Sequence, residues 1–518
     1  MKKLKEIHLC DYVLLVMLGF LLACIGYINF AGYTSFYYFD MYSDILYAIE
    51  AWEHRSVFPE GWVFGNQIYV AATPVLAALL YGFTSYPLFA MALASSIMAV
   101  LVIFSFYWMI KPCFSQLSPR LFACSVLILF PLLFGDAVYA FNGWQLLYTM
   151  CSYYACYAIT VFWAFGMYIR YQNRDQVENR FSLILLCCFS FFMGMQSLRQ
   201  TAIMTLPMMV MECIRLLHSY LRKKKLIHAS SVITILVAVS NFAGVVCSKI
   251  LPIHTSPIFG EFELTGFTAG NLIDAFLTLV QLFGSKKQFL CVVLLCACGI
   301  GIMVHRDRKS KYESNTLLFS LMLLSIGAIG MIDVVSTMDV RFIYYFMAYP
   351  MAAYLISFLL TLRNKISRIL IRPLLVVMLV LAVLLSWHGG IHSVVKNLDM
   401  QEESGYEAVS DYLSTSGYET VFAGTDLGFK IGVASDMELR VGFWFTAKPF
   451  TEVRYLCDPE VFDAEPGSCV YAFKGEDRVR DAREKLIEYD LKMDLLKYFP
   501  ECDVYVFTSE ERLVDLIE

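Results

Sequence analysis

Apolar runs recur along the first three quarters of the chain, separated by short polar stretches, and stop near residue 387. A membrane crossing needs about 20 mostly apolar residues. Eleven runs qualify, near residues 12–30, 86–110, 121–136, 149–169, 181–197, 201–217, 230–251, 288–304, 316–332, 343–362 and 371–387. The first is longer than a signal-peptide core, and no small-x-small cleavage site follows it before Tyr33, so it is expected to stay as a span. Past residue 388 the period changes. Helices are predicted over 402–415 and 477–489, and strands over 419–423, 437–441, 469–473 and 503–507. The expected fold is therefore an α-helical polytopic membrane domain over residues 1–387 with about eleven crossings. A small α/β domain follows over residues 388–518.

Composition agrees with this reading: 58% of residues are hydrophobic and only 16% charged. The charges also separate. Residues 1–387 hold 27 Lys+Arg against 18 Asp+Glu, and residues 388–518 hold 13 against 27. The basic residues sit in short patches between apolar runs and not on one face, which argues against a nucleic-acid partner, disorder or a coiled coil. Lys and Arg in short loops stay on the cytoplasmic side during insertion. With the N-terminus inside, 21 basic residues of the first 387 fall in inside segments and six outside, among them Arg55, Arg199 and Arg341. That places the C-terminal domain outside the cell membrane. It also excludes a crossing at 69–83, which is expected to be a short helix folded back at the outer face and interrupted by Pro74. Of 16 cysteines, Cys457, Cys469 and Cys502 lie in the outer domain, an odd number that argues against a disulfide framework.

Candidate chemistry concentrates in the outer loop 31–67, AGYTSFYYFDMYSDILYAIEAWEHRSVFPEGWVFGNQ. A helical pattern runs from Asp40 to His54 with Ile45, Leu46, Ile49 and Trp52 on one side, predicting an amphipathic helix in the membrane surface. Asp40 and Asp44 are four apart and share a face, where mutual repulsion raises at least one pKa and suits a general base. Helix capping by Asp40 and a dipole partner in Asp44 explain the same pair equally well. Arg199, in SLRQTA, and Arg341, in MDVRFIYYF beside Asp339, occupy outer membrane edges where a guanidinium can hold a phosphate. Snorkelling or a local ion pair is the plainer reading of both. The aromatic run Tyr33 to Tyr42, Trp62 and the Asn142-Gly143-Trp144 stretch read first as an interfacial belt.

This order of parts resembles the GT-C superfamily of integral-membrane glycosyltransferases, which includes protein O-mannosyltransferases and the aminoarabinose transferases of lipid A. The residues that carry the likeness are FDMYSDILYAIEAW after the first span, the Pro59-x-x-Trp62 element, and the helix-Gly-strand opening DYLSTSGYETVFAG of the outer domain. The resemblance is to bacterial members of the type. It implies a first-loop carboxylate acting on the acceptor, here Asp40 or Asp44, and a polyprenyl-phosphate sugar donor bound from within the bilayer. Arg199 and Arg341 match the family's phosphate-holding arginines by position. The Asp-x-Asp and Trp-Trp-Asp-Tyr-Gly runs of metal-dependent oligosaccharyltransferases do not occur, so the expected chemistry uses no metal and no cofactor. The expected function is transfer of a sugar from polyprenyl phosphate to an envelope glycan or lipid acceptor on the outer face. A lipid-linked-glycan flippase, or a non-catalytic envelope scaffold, is the rival reading.

Overall fold

The computed structural model describes residues 8–31, 39–65, 68–133, 147–149, 154–172, 174–223, 227–255, 266–282, 286–306, 313–336, 345–361, 368–387, 401–446, 448–454 and 456–514. The membrane part contains α1 (Leu9–Ala31), α2 (Phe39–Glu53), α3 (Thr73–Thr84), α4 (Pro87–Ile110), α5 (Leu117–Leu132), α6 (Ala155–Tyr171) and α7 (Arg180–Gln196). A π-helical turn, Thr201–Thr205, then runs into α8 (Leu206–Leu221). They are followed by α9 (Ala229–Ile250), α10 (Ala269–Leu282), α11 (Lys286–Arg306), α12 (Glu313–Val335), α13 (Tyr345–Thr361) and α14 (Arg368–Ser386). Each of the eleven apolar runs coincides with a helix. Among the described residues five helices, α1, α4, α9, α12 and the continuous Thr201–Leu221, are long and apolar enough to cross a membrane by themselves. The protein is a multi-pass membrane protein. Of the remaining helices, α10 falls where the apolar pattern predicts no span, and Pro74 lies in the first turn of α3 rather than breaking it. Proline's missing N–H is no loss at that position.

The chain divides into two compact units, one of residues 1–26, 96–251 and 261–396, the other of 27–95, 252–260 and 397–518. In the first unit the closest helix pair is α7 with α9. A Cβ on Gly194 would sit 2.1 Å from the Asn241 carbonyl oxygen, and one on Gly244 2.0 Å from that of Phe191. Only glycine permits that approach, the small-residue packing that membrane helices use in place of a hydrophobic drive. Asn241, fully buried, fixes the register: its Oδ1 accepts from Thr201 Oγ1 at 2.7 Å and Thr205 Oγ1 at 3.2 Å, and its Nδ2 donates to the Ser190 carbonyl at 3.2 Å. A second polar group ties α6 to α8 and α9. Tyr168 donates to Glu212 Oε2 at 2.9 Å, Arg215 Nε reaches the same carboxylate, and Arg215 Nη2 donates to Ser231 Oγ at 2.8 Å. Near the start of α1, buried Asp11 accepts from Ser118 of α5.

In the second unit the C-terminal segment forms α15 (Gln401–Thr415), β1 (Thr420–Gly424), α16 (Thr425–Ala434), β2 (Arg440–Trp444), β3 (Cys469–Lys474), α17 (Glu476–Glu488), β4 (Asp494–Phe499) and β5 (Val504–Thr508). The five strands lie in the order β2-β1-β3-β5-β4. β1 pairs in parallel with both β2 and β3, whereas β5 is antiparallel to β3 and β4. Strand β1, TVFAG, is buried at all five positions, as a central parallel strand covered on both faces must be. The predicted strand over 437–441 starts three residues later, at Arg440. Met437 takes φ 64° in the turn that precedes it. α16 and β4 carried no clean period and were not anticipated. Cys457, Cys469 and Cys502 are all buried.

The α7–α9 contact gives a stability prediction. Gly194→Leu is expected to cost about 1–3 kcal/mol or more through forced backbone separation, read as a lowered melting temperature in detergent. Gly327→Ala, on α12 with nothing within 4 Å of the added Cβ, should leave the melting temperature unchanged or raise it.

Candidate active site

Helix α2 matches the predicted span closely, but its surroundings do not match an interfacial helix. Positions 41 to 49 are buried without interruption, including Tyr42, Ser43, Asp44, Ile45 and Leu46. Two close approaches explain why. The Trp52 ring occupies the space beside Gly82 of α3, where a Cβ would come within 2.1 Å of it. Leu46 meets α16 at Gly432, whose Cβ would lie 3.1 Å from the leucine methyl. The apolar side predicted for lipid is thus filled by protein, Ile45, Leu46 and Ile49 being nearly inaccessible.

Asp44 has no exposed surface. A carboxylate at such a position costs several kcal/mol of desolvation unless its surroundings answer the charge. Asp40 lies in the first turn of the same helix; its side chain is outside the described residues, so the shared face rests on the backbone spacing. One turn after Asp44, Tyr47 is an anchor: its hydroxyl donates to the carbonyls of Val57 at 2.9 Å and Tyr69 at 3.3 Å. Burial, and then the charge of Asp44, push its phenol well above the ordinary tyrosine range. Around it stand Tyr69, Phe64 and Trp62, with ring centroids at 4.8, 5.7 and 6.1 Å. Trp62 is therefore a core residue and not part of an interfacial belt, and Tyr42 is buried likewise. Tyr33 and the Asn142-Gly143-Trp144 stretch lie outside the described residues.

The loop carrying Pro59 and Trp62 is held by backbone bonds. Val63 N donates to the Cys457 carbonyl at 3.2 Å, Leu456 N to that of Val63 at 2.6 Å, and Phe64 N to that of His254 at 2.8 Å. Gly61 takes φ 77°, and a Cβ there would lie 3.2 Å from Asp458 Oδ1, so glycine is needed on both counts.

Sequence reasoning missed three groups in this unit. Lys430 of α16 lies 5.6 Å from the Tyr42 ring and donates to the Tyr406 hydroxyl at 3.5 Å. Lys474, at the end of β3, donates to the same hydroxyl at 2.8 Å. Two ammonium groups thus converge on the Tyr406 hydroxyl, and one of them, Lys430, also stands beside Tyr42 in the first turn of α2. No local pattern signals them. Glu50 was also passed over: it sits on α2, 3.3 Å from His54 Nε2, and burial raises its pKa above 4.5 despite the lowering by His54.

Arg199 belongs to the first unit, between the end of α7 and the π turn. It is half-buried and donates from Nη1 to the Tyr154 hydroxyl at 3.3 Å, while its backbone N–H donates to Ser197 Oγ at 3.2 Å. This tyrosine contact holds the guanidinium in place, which a merely snorkelling side chain does not require. Next to it, Gln200 is fully buried and its Oε1 has no hydrogen-bond partner among the described residues. π turns in helices frequently mark functional positions. Arg341 and Asp339 lie outside the described residues. Among those described, no group of three His, Cys, Asp or Glu side chains is arranged to hold a metal ion.

No family model and no curated protein sequence matches the chain. Solved structures do. The chain superposes on ArnT from Cupriavidus metallidurans bound to undecaprenyl phosphate with a TM-score of 0.59, at 10% identity, over 96% of this chain and 98% of that one. The apo state of the same enzyme matches with a TM-score of 0.59 at 9% identity, over 95% and 97%. The likeness spans both compact units, so the fold is that of these ArnT structures.

The raised pKa of Glu50 has a sign that can be checked. The native state keeps this proton to a higher pH than the unfolded chain does, so stability falls as pH rises from 4.5 through the shifted value. Glu50→Gln should melt with the native protein near pH 4.5 and above it at neutral pH, as measured by melting curves across that range.

Proposed function

We propose that this protein is a membrane glycosyltransferase that moves a sugar from a polyprenyl-phosphate donor to a cell-envelope glycan or lipid on the outer face, where the C-terminal domain also lies. The observation that carries the reading is a first-loop carboxylate, Asp44, buried on a helix embedded in a full-length ArnT-like fold. One of the compared structures holds undecaprenyl phosphate, which is of the lipid-phosphate class that the donor expected here would release.

In the proposed reaction Asp40 or Asp44 takes the proton of an acceptor hydroxyl. The oxygen forms a bond to the anomeric carbon, the bond from that carbon to the phosphate oxygen breaks, and the lipid phosphate leaves with the electron pair. General-base assistance of this kind contributes about 10²–10⁴ in rate. Arg199 and Arg341 would hold the departing phosphate by charge-assisted hydrogen bonds. Tyr154 preorients Arg199 for that role, since a guanidinium already fixed loses less freedom when the anion arrives.

Mass spectrometry of envelope glycans in the native host tests this, comparing the intact gene, a deletion, Asp40→Asn and Asp44→Asn at blotted, equal membrane levels. One sugar should vanish in the deletion, and the catalytic carboxylate's Asn variant should lose transfer by about 10²-fold or more. A deletion phenotype with both Asn variants active would favour the flippase or scaffold instead. Arg199→Lys should weaken donor use while Tyr154→Phe gives a smaller loss of the same kind, seen as a raised KM for the lipid donor.

A further inference from the structure

A small, open cleft lies where β1 and β3 end, lined by Asp426, Trp444, Thr446, Lys474, Arg478 and Asp481 among others. Its place follows from topology. The chain leaves β1 for β2 on one side and later returns to β3 on the other, so the strand order reverses between β1 and β3. Crevices at the carboxyl ends of parallel strands, at such a reversal, are where open α/β sheets take up ligands. β1 passes into α16 at Gly424, and β3 into α17 at Gly475, so two helix N-termini flank the opening. At Gly424 a Cβ would come 2.9 Å from Asp426 Oδ1 and 3.0 Å from Thr446 Oγ1, so the absence of a side chain keeps this wall open.

Helix N-termini usually draw anions. Here their first turns already carry Asp426 in α16 and Glu476 and Asp477 in α17, which answer the dipoles from within the protein. The cleft itself sets two carboxylates against two cations. Thr446 donates to Asp426 at 2.5 Å, and Arg478 stands 3.9 Å from Asp481, both of these side chains about half exposed. Acceptors and donors of equal formal charge thus share the opening beside an indole, the complement of a ring of hydroxyls on an apolar frame.

We propose that this cleft binds a neutral sugar residue. The site goes beyond the transferase reading and stands without it, because binding needs no turnover. The test is saturation-transfer difference NMR on the full-length protein in lipid nanodiscs. The probes are the methyl glycosides of glucose, galactose, mannose and N-acetylglucosamine, with inorganic phosphate as competitor. At least one glycoside should give a signal that phosphate leaves intact. Arg478→Ala and Asp481→Ala, both on the exposed side of α17 and checked by unchanged melting temperatures, should each weaken it about tenfold, the loss of a hydrogen bond to a charged group. The inference is overturned if no glycoside gives a signal, if phosphate displaces it, or if it keeps its strength in both variants. A signal that persists in those two and disappears in Asp44→Asn would put the sugar at α2 instead, sinking the cleft while leaving the transferase reading in place.

Discussion

The arrangement depends on how closely α2 is gripped. On one side the Trp52 ring fills the space that Gly82 leaves on α3; on another, Leu46 fills the space that Gly432 leaves on α16. The Trp52 contact requires the missing side chain at Gly82, since overpacking such a site costs about 1–3 kcal/mol, whereas at Gly432 an added Cβ would press on Leu46 at 3.1 Å. Positions 41 to 49 of α2 are buried, and Asp44 is out of contact with water. A carboxylate on a helix free to roll in the membrane surface would be solvated and unexceptional. The same carboxylate on a clamped helix has a fixed position and a low-dielectric environment, the conditions under which one charge can be aimed at one proton.

The clamp also explains why the C-terminal segment belongs to the same compact body as the outer loop. α16 contributes Gly432 to the packing of α2 and Lys430 to the space beside Tyr42, while its N-terminus, at the other end, borders the strand-end cleft. Lys430 and Lys474 share the Tyr406 hydroxyl, so the basic groups next to α2 and at the cleft are joined through one buried phenol. The backbone bonds at Val63, Phe64 and Leu456 fix the loop between α2 and α3 in the same body.

The membrane unit solves a different problem. Its helices have no hydrophobic reason to prefer each other over lipid, and specificity comes from close backbones and polar bonds. Gly194 and Gly244 supply the first; Asn241, with Thr201, Thr205 and Ser190, supplies the second. The two threonines lie on the π turn that closely follows Arg199, so the turn next to that guanidinium is tied to α9 through Asn241.

Much of this was legible in the sequence. The eleven apolar runs, the helix after the first span, the short helix behind it and the alternating C-terminal elements follow from period and composition, because the need to satisfy backbone groups in lipid leaves long apolar segments no alternative to helix. The acidic pair was visible as a spacing, and the overall likeness as an order of parts. What the sequence could not settle was which face of α2 is covered and by what. An amphipathic period looks the same whether its apolar side meets lipid or a glycine-lined helix hundreds of residues away. The same holds for Trp62, which composition reads as a belt residue and packing makes a core one, and for Lys430, Tyr406 and Lys474, whose meeting depends on the order β2-β1-β3. Local pattern determined the elements; only the tertiary packing, through steric fit between distant glycines and large side chains, decided that Asp44 is buried and what surrounds it.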